Sequence, residues 1–131
     1  MLLTRISNFA LLISSAWLMT ACLFDSGTDW SDGQFEVSWL DGSERYLYYD
    51  MGNGGGPSLV KQPVIAVGSN QIYIVIKSRD TAGSISYHYI VKSDEWKIPK
   101  GIGIAKGAYT EKEFLELTEK LSFPPFEKSF D

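Results

Sequence analysis

Few side chains in this sequence could carry out covalent chemistry, since it has one cysteine, Cys22, and one histidine, His88. A catalytic serine needs a base within hydrogen-bond reach and usually an acid that orients the base. Ser86 stands two residues before His88, so both side chains would share one face of a strand, but no third residue marks Ser86 as a nucleophile. We interpret His88 as a strand histidine that is exposed or hydrogen-bonded, and we expect no catalytic residue and no enzyme activity.

Carboxylates could instead bind a metal or cleave glycosides. Zinc needs clustered His, Cys or carboxylate ligands, and calcium needs an acidic loop that ends in a bidentate glutamate. The aspartates nearest to such a loop lack that glutamate, so we expect solvated charges and no metal at Asp25, Asp29 and Asp32. The pair Asp94 and Glu95 could serve glycoside hydrolysis in principle, but neighbouring acids in polar loops are common.

A run of glycines, Gly52–Gly56, invites comparison with a phosphate-binding loop. Such a loop leads into a helix start that carries a lysine. Here Pro57 follows, and then a predicted strand. We expect a flexible loop and no cofactor.

Residues 1–21 have the features of a secretory signal. Met1–Arg5 carries the only charge of this region, Ile6–Met19 is uncharged and mostly apolar, and the small residues Thr20 and Ala21 follow. A membrane-spanning helix needs about 20 predominantly apolar residues, and Ile6–Met19 is shorter and interrupted by polar residues. A cleaved signal peptide is therefore favoured over a retained transmembrane anchor.

Leu18-Met19-Thr20-Ala21-Cys22 resembles the lipobox of bacterial lipoproteins, in which cleavage occurs before a cysteine that then receives lipid. The resemblance implies lipidation of Cys22, with acyl chains such as palmitate, and several such chains hold a protein firmly at a membrane. The alternative is a buried thiol that packs as a small hydrophobe. In Gram-negative lipoproteins an Asp after the cysteine tends to retain the protein at the inner membrane, and here that residue is Leu23. The resemblance therefore implies an outer-membrane, periplasm-facing protein if the host is Gram-negative.

These features divide the chain into three parts. We expect residues 1–21 to be removed, residues 22–33, rich in Asp, Ser and Gly, to form a tether, and residues 34–131 to form a single domain. That domain has no thiol for a disulfide. Residues 22–60 hold seven acids and one base, so a polyanion would be repelled, and we expect no nucleic-acid partner.

Alternation of apolar and polar residues predicts a hairpin of Gln34–Leu40 and Arg45–Asp50, joined by a turn at Asp41-Gly42. Gln71–Lys77 is apolar at every position from Ile72 to Ile76, which is typical of a central strand covered on both faces. The remaining predicted strands are Ser58–Val67, whose first part Pro63 demotes to an edge or bulge, Ser84–Lys92, and a short strand at Ile102–Lys106 within the loop Ser93–Gly107.

One helix is predicted near the C-terminus. Thr110 and Glu113 have the spacing of a capping box, and Pro124-Pro125 ends the helix. Phe114, Leu117, Thr118 and Leu121 share its apolar face. The predicted fold class is therefore α+β, with an antiparallel sheet of four to five strands and one C-terminal helix packed on it.

The hairpin is the candidate recognition surface, because Tyr46 and Tyr48 lie on one face of its second strand and Tyr49 lies on the other. Exposed aromatic side chains on an acidic surface suit protein recognition. The candidate partner-binding residues are Tyr46, Tyr48, Tyr49, Asp41 and Glu44.

The C-terminal part is also similar to small outer-membrane lipoproteins of uncharacterised function. The matching residues are Val64–Lys77, Tyr87–Lys92, and Gly107-Ala108-Tyr109-Thr110 leading into Glu113-Phe114 and Leu121. This similarity implies no activity. We expect a non-enzymatic, lipid-anchored envelope protein that binds another envelope or periplasmic protein. The alternative is an immunity or inhibitor lipoprotein that neutralises a toxin or lytic enzyme in the periplasm, and a small envelope hydrolase is the weakest hypothesis.

Overall fold

The computed structural model describes residues 26–40 and 42–130, with only the backbone at Ser26 and Leu40. Within these residues eight strands, one 3₁₀ segment and one α-helix form three layers: a three-stranded sheet, a five-stranded sheet and the helix. Every strand pairing is antiparallel. The α+β class and the C-terminal helix packed on a sheet agree with the sequence prediction.

The small sheet contains the predicted hairpin and one further strand. Its strands, in spatial order, are β1 (Ser26–Asp32), β2 (Phe35–Leu40) and β3 (Arg45–Tyr49). Along β2 and β3 successive side chains alternate between the two faces. Phe35, Val37 and Leu47 are buried on the inner face, which packs against the larger sheet.

Strand β1 lies where the sequence predicts a tether, and that prediction is wrong for residues 26–32. Asp29 pairs with Arg45 of β3, and Asp32 pairs with Lys92 at 2.9 Å. The indole Nε1 of Trp30 donates a 2.8 Å hydrogen bond to Glu127. The Asp, Ser and Gly composition suggests a linker, but pairing with β2 and these distant contacts give the segment a place in the fold.

The larger sheet has the spatial order β7-β6-β5-β4-β8. Its strands are β4 (Val64–Ser69), β5 (Tyr73–Arg79), β6 (Ile85–Val91), β7 (Lys106–Tyr109) and β8 (Lys128–Ser129). Strand β4 begins directly after Pro63, as expected for a residue that cannot donate to a ladder. The short strand predicted at Ile102–Lys106 instead begins at Lys106.

Strand β5 is central and contributes to two hydrophobic cores. Ile74 and Ile76 belong to the core between the sheets, and Val75 belongs to the core beneath the helix. All three are fully buried, as the continuous apolar run predicts. Burying each such side chain contributes about 1.5–3 kcal/mol, so replacing Ile74 with alanine would cost about 2–5 kcal/mol.

The predicted single sheet is divided in two. A single sheet with one helix would leave the second face of β5 in contact with water. Stacking the β1–β3 sheet on that face places Phe35, Val37 and Leu47 against Ile74 and Ile76. The need to cover both faces of β5 explains why the chain leaves the first sheet after β3.

The 3₁₀ segment Lys92–Lys100 occupies most of the region predicted as a loop. Its only buried side chain is Ile98, which joins the core between the sheets. 3₁₀ turns are common as connectors, but this run of nine residues is longer than most.

The α-helix, α1 (Glu111–Leu121), begins with the predicted capping box. The Glu113 amide donates to Thr110 Oγ1 at 3.2 Å, and the Thr110 amide donates to Glu113 Oε1 at 3.1 Å. Ser122, with φ of 57°, ends the helix, and Pro124-Pro125 follows. The apolar face places Phe114 against Tyr87 and Phe123.

Candidate functional site

The face of the small sheet that points away from the larger sheet carries two of the predicted recognition tyrosines. We call it the outer face and define it by Thr28, Glu36, Ser38, Tyr46 and Tyr48. In the strand register Glu36 lies opposite Tyr48, and Ser38 lies between Tyr46 and Thr28. Neither hydrophobic core contains a side chain from this face. The outer face therefore contributes to neither core.

The outer face contains a groove of about 220 Å³. Trp39 forms one wall by packing on Gly27, where an added Cβ would lie 2.8 Å from the indole Nε1. A larger residue at position 27 would displace this wall. The groove is lined by Gly27, Thr28, Glu36, Ser38, Trp39, Tyr48, Gly54, Gly55 and Gly56.

The glycine-rich segment forms the other wall of the groove. Asp50 Oδ1 accepts hydrogen bonds from the amides of Gly52 (2.9 Å) and Gly54 (3.3 Å). A Cβ on Gly56 would overlap the carbonyl oxygen of Tyr49, so only glycine fits against β3 there. The sequence predicts a flexible loop here and no role in a site, whereas in the structure Gly54, Gly55 and Gly56 line the groove.

Polar groups on and beside the outer face give it a negative character. The Tyr46 hydroxyl donates a 2.9 Å hydrogen bond to Glu44. That bond and partial burial raise the pKa of Tyr46. The Glu36 carboxylate, on the groove wall, makes no hydrogen bond or ion pair with any residue that the structure describes. The groove therefore contains a carboxylate with no partner among the described residues, opposite Tyr48 in the strand register.

Tyr49 does not belong to this surface, which corrects its place among the candidate partner-binding residues. Its side chain is only 5% exposed and packs edge-on against Phe35. The hydroxyl lies 2.8 Å from Glu95 Oε1 and 3.0 Å from Gln34 Oε1. Burial and the hydrogen bond to Glu95 raise the pKa of Tyr49 to about 12. Strand alternation therefore directs Tyr49 into the core and leaves Tyr46 and Tyr48 outside.

Two predicted site residues, Cys22 and Asp41, lie outside the described residues. Glu44 is exposed in the β2–β3 connection. The structure thus brings Glu44, Tyr46 and Tyr48 together.

His88 is buried, contrary to the expectation of an exposed or hydrogen-bonded histidine. Its Nδ1 has no hydrogen-bond partner among the described residues, and burial lowers the pKa of the imidazole. The Ser86 main-chain oxygen accepts a hydrogen bond from Ser78 Oγ at 3.3 Å. Since no carboxylate orients the imidazole within the described residues, the geometry of a catalytic triad is not formed there.

The aspartates expected to be solvated are instead paired. Asp29 and Asp32 bind Arg45 and Lys92, as described above, and Asp25 lies outside the described residues. Within residues 26–40 and 42–130, no group of three or more His, Cys, Asp or Glu side chains could hold a metal ion. Asp94 and Glu95 are also engaged, with Lys97 at 3.2 Å and with Tyr49 respectively.

Glu36, Ser38 and Trp39 line the groove but were not among the predicted site residues. The hairpin register could have predicted Glu36 and Ser38, because residues directly opposite Tyr48 and Tyr46 lie on the same face of the sheet. Trp39 is two residues from Val37 and four from Phe35, so strand alternation alone predicts that its side chain lies on the inner face with theirs. Its position over Gly27 depends on packing across two strands.

Comparisons of the chain with protein-family models, curated proteins and solved structures gave no match. Among the described residues, no helix is both long enough and apolar enough to cross a bilayer.

Proposed function

We propose that this chain is a non-enzymatic, lipid-anchored envelope protein that binds another envelope or periplasmic protein through the outer face. The observation that supports binding is the half-exposed pair Tyr46 and Tyr48. Their rings lie 6.3 Å apart on a face that contributes to neither core. Aromatic side chains are enriched at protein interfaces because they bury a large area and carry a polar group.

The anchor is supported by the sequence of residues 1–23 alone. A secretory signal that ends at a cysteine favours lipidation of Cys22 and a position outside the cytoplasm. Leu23 favours the outer membrane in a Gram-negative host. Within this proposal the outer face binds its partner at the periplasmic side of that membrane.

Site-specific photocrosslinking in intact cells tests the binding proposal. A photoreactive amino acid at Thr28, on the outer face, should capture one reproducible partner. The double variant Tyr46→Ala, Tyr48→Ala should reduce that capture, since it removes the half-exposed rings and neither ring belongs to a core. Leu115→Ala on α1 is a matched control, because Leu115 is also an exposed large apolar residue. Equal capture by both variants, each with an unchanged unfolding midpoint, would contradict a role for the outer face.

The anchor is tested separately through Cys22, the only cysteine in the chain. Cys22→Ala should abolish incorporation of a clickable fatty acid and release the protein from membranes. Leu23→Asp should keep the label but move the protein to the inner-membrane fraction. Membrane retention of Cys22→Ala with unchanged labelling would refute lipidation at this residue.

Deletion of the gene distinguishes a resident partner from a toxin. If the partner is a toxin, deletion should make cells sensitive to sister cells that release it. Unchanged survival in that mixed culture would contradict the immunity hypothesis.

A further inference from the structure

Four aromatic rings in the described part of the chain lie beside a basic side chain of the same chain. In each of five pairs a basic side chain lies between 5.0 and 5.9 Å from a ring centroid. A cation in this position is attracted by the negative face of the ring. The pairs are Arg45 with Phe130, Lys77 with Tyr87, Lys106 with Tyr89, and both Lys97 and Lys100 with Trp96.

The groove on the outer face contains the aromatic side chain of Tyr48 but no basic side chain. Tyr48 and Trp39 line it beside Glu36, and none of its lining residues is basic. The only basic residue in residues 22–60 is Arg45. It is two residues from Leu47 in β3, so strand alternation places it on the inner face. Its guanidinium is already engaged by Asp29, by the Ser43 carbonyl oxygen and by the Phe130 ring. No described side chain of this chain is therefore placed to neutralise Glu36.

The groups in the groove match a guanidinium or ammonium group. Glu36 can accept a charge-assisted hydrogen bond, which is stronger than a neutral one. The ring of Tyr48, opposite Glu36 in the strand register, can lie against the same cation.

Net charge indicates which class of partner carries that cation. The seven acids and one base in residues 22–60 would repel anionic lipid headgroups and nucleic acid, whereas a basic protein segment would be attracted and steered toward the face. We propose that the groove receives an arginine or lysine side chain from a basic segment of the partner protein. This inference rests on the proposed function, because it specifies the chemistry of the partner that the outer face binds.

The test uses the full-length lipidated protein in detergent micelles and the peptide Gly-Arg-Gly-Arg-Gly as the probe, followed by NMR. Saturable shifts are expected at the Trp39 indole N–H and at Tyr48. They should weaken as salt is added, because salt screens exposed charges. The peptide Gly-Glu-Gly-Glu-Gly should leave these signals unchanged.

Glu36→Gln should weaken binding of the arginine peptide about tenfold, because one charge-assisted hydrogen bond becomes a neutral one. Glu116→Gln, an exposed glutamate on α1, is the matched control and should bind like the wild type. Equal affinity in all three proteins would overturn the role of Glu36. Absence of shifts at Trp39 and Tyr48 would overturn the inference.

A carbohydrate is the competing occupant, because aromatic rings and a carboxylate can also bind a sugar. Shifts at Trp39 and Tyr48 with an N-acetylglucosamine trimer, but not with the arginine peptide, would replace the inference with a glycan site. The photocrosslink at Thr28 keeps the two proposals distinguishable. A crosslinked partner together with a silent peptide titration would refute only the basic-segment inference, whereas loss of the crosslink would count against the proposed function.

Discussion

The ammonium group of Lys92 donates a 2.9 Å hydrogen bond to the carboxylate of Asp32, which joins the last residue of β1 to the first residue of the 3₁₀ segment. Lys92 also donates to the Asn70 carbonyl oxygen at 3.0 Å. One side chain thereby links the small sheet to the β4–β5 turn. The side chains of Lys92 and Asp32 are only 24% and 28% exposed, so solvent screens this ion pair less than it would a fully exposed pair.

Replacing Asp32 with asparagine should lower the free energy of unfolding at pH 7 by about 1 kcal/mol, the upper end for a partly exposed pair. Burial by itself would raise the pKa of Asp32, but hydrogen bonds from Lys92 and Ser69 and the charge of Lys92 outweigh it, so the pKa is lowered from 3.8. The stabilisation is therefore present above pH 3.8 and is lost as the pH falls through the lowered pKa.

Urea unfolding of the wild type and Asp32→Asn at successively lower pH checks this prediction. The difference in the free energy of unfolding between the two proteins should narrow once the pH falls below 3.8. Glu116→Gln, an exposed substitution on α1, should have little effect at any of these values. A difference that stays constant across the series would show that the ion pair contributes nothing.

Replacing Tyr49 with phenylalanine should cost about 1.5–3 kcal/mol at pH 8, because it removes a hydrogen bond to the charged carboxylate of Glu95. The pKa of Tyr49, raised from 10.0 to about 12, sets the alkaline behaviour. Stability gained from a raised pKa is present below pH 10 and is lost as the pH rises through about 12. In strong alkali the free energy of unfolding of the wild type should therefore approach that of Tyr49→Phe.

Urea midpoints at pH 8 and in alkali measure this difference. Tyr48→Phe is the control, because the Tyr48 hydroxyl makes no hydrogen bond with any residue that the structure describes. A midpoint for Tyr49→Phe equal to that of the wild type at pH 8 would contradict the hydrogen bond to Glu95.

His88 should make the protein less stable in mild acid. Burial lowers the pKa of His88 below its ordinary 6.5, so below that pH the unfolded state binds a proton that the folded state still excludes. The full contribution of neutral His88 to the free energy of unfolding is thus present above pH 6.5, and it decreases as the pH falls toward the lowered pKa. His88→Leu should remove this dependence and keep the pH 7 stability within about 1 kcal/mol, because it also removes the unpaired Nδ1.

Thermal or urea unfolding of wild type and His88→Leu at pH 7 and pH 5 tests the prediction. The variant should lose less stability than the wild type between these two values. Identical losses would show that the pH dependence has another origin.

Thr110→Ala should lower the free energy of unfolding by about 1 kcal/mol, within the range of about 0.5–2 kcal/mol for loss of an N-cap. The Glu113 amide would lose its acceptor at the start of α1, and Phe114 beside it is part of the second core. Urea unfolding and amide exchange at Glu113 measure the effect. Lys112→Ala, exposed in the same turn, should be neutral. An unchanged exchange rate at Glu113 would contradict the capping role.

Local patterns in the sequence determined the elements that need only neighbouring residues. The run from Ile72 to Ile76 requires burial on both faces, which predicts the central position of β5. The spacing of Thr110 and Glu113 predicts the start of α1 because both hydrogen bonds of the capping box are made within four residues. Alternation likewise separates Tyr49 from Tyr46 and Tyr48.

Tertiary structure alone decided where the two faces of β3 lie and whether residues 26–32 form a strand. The core over β5 buries Tyr49 and leaves Tyr46 and Tyr48 outside. Strand β1 is polar in composition, and its contacts come from Arg45, Lys92 and Glu127, which are distant in sequence. Local propensity does not include such contacts, because their free energy arises only when separate segments meet. The groove of Trp39, Glu36 and the glycine segment has the same origin.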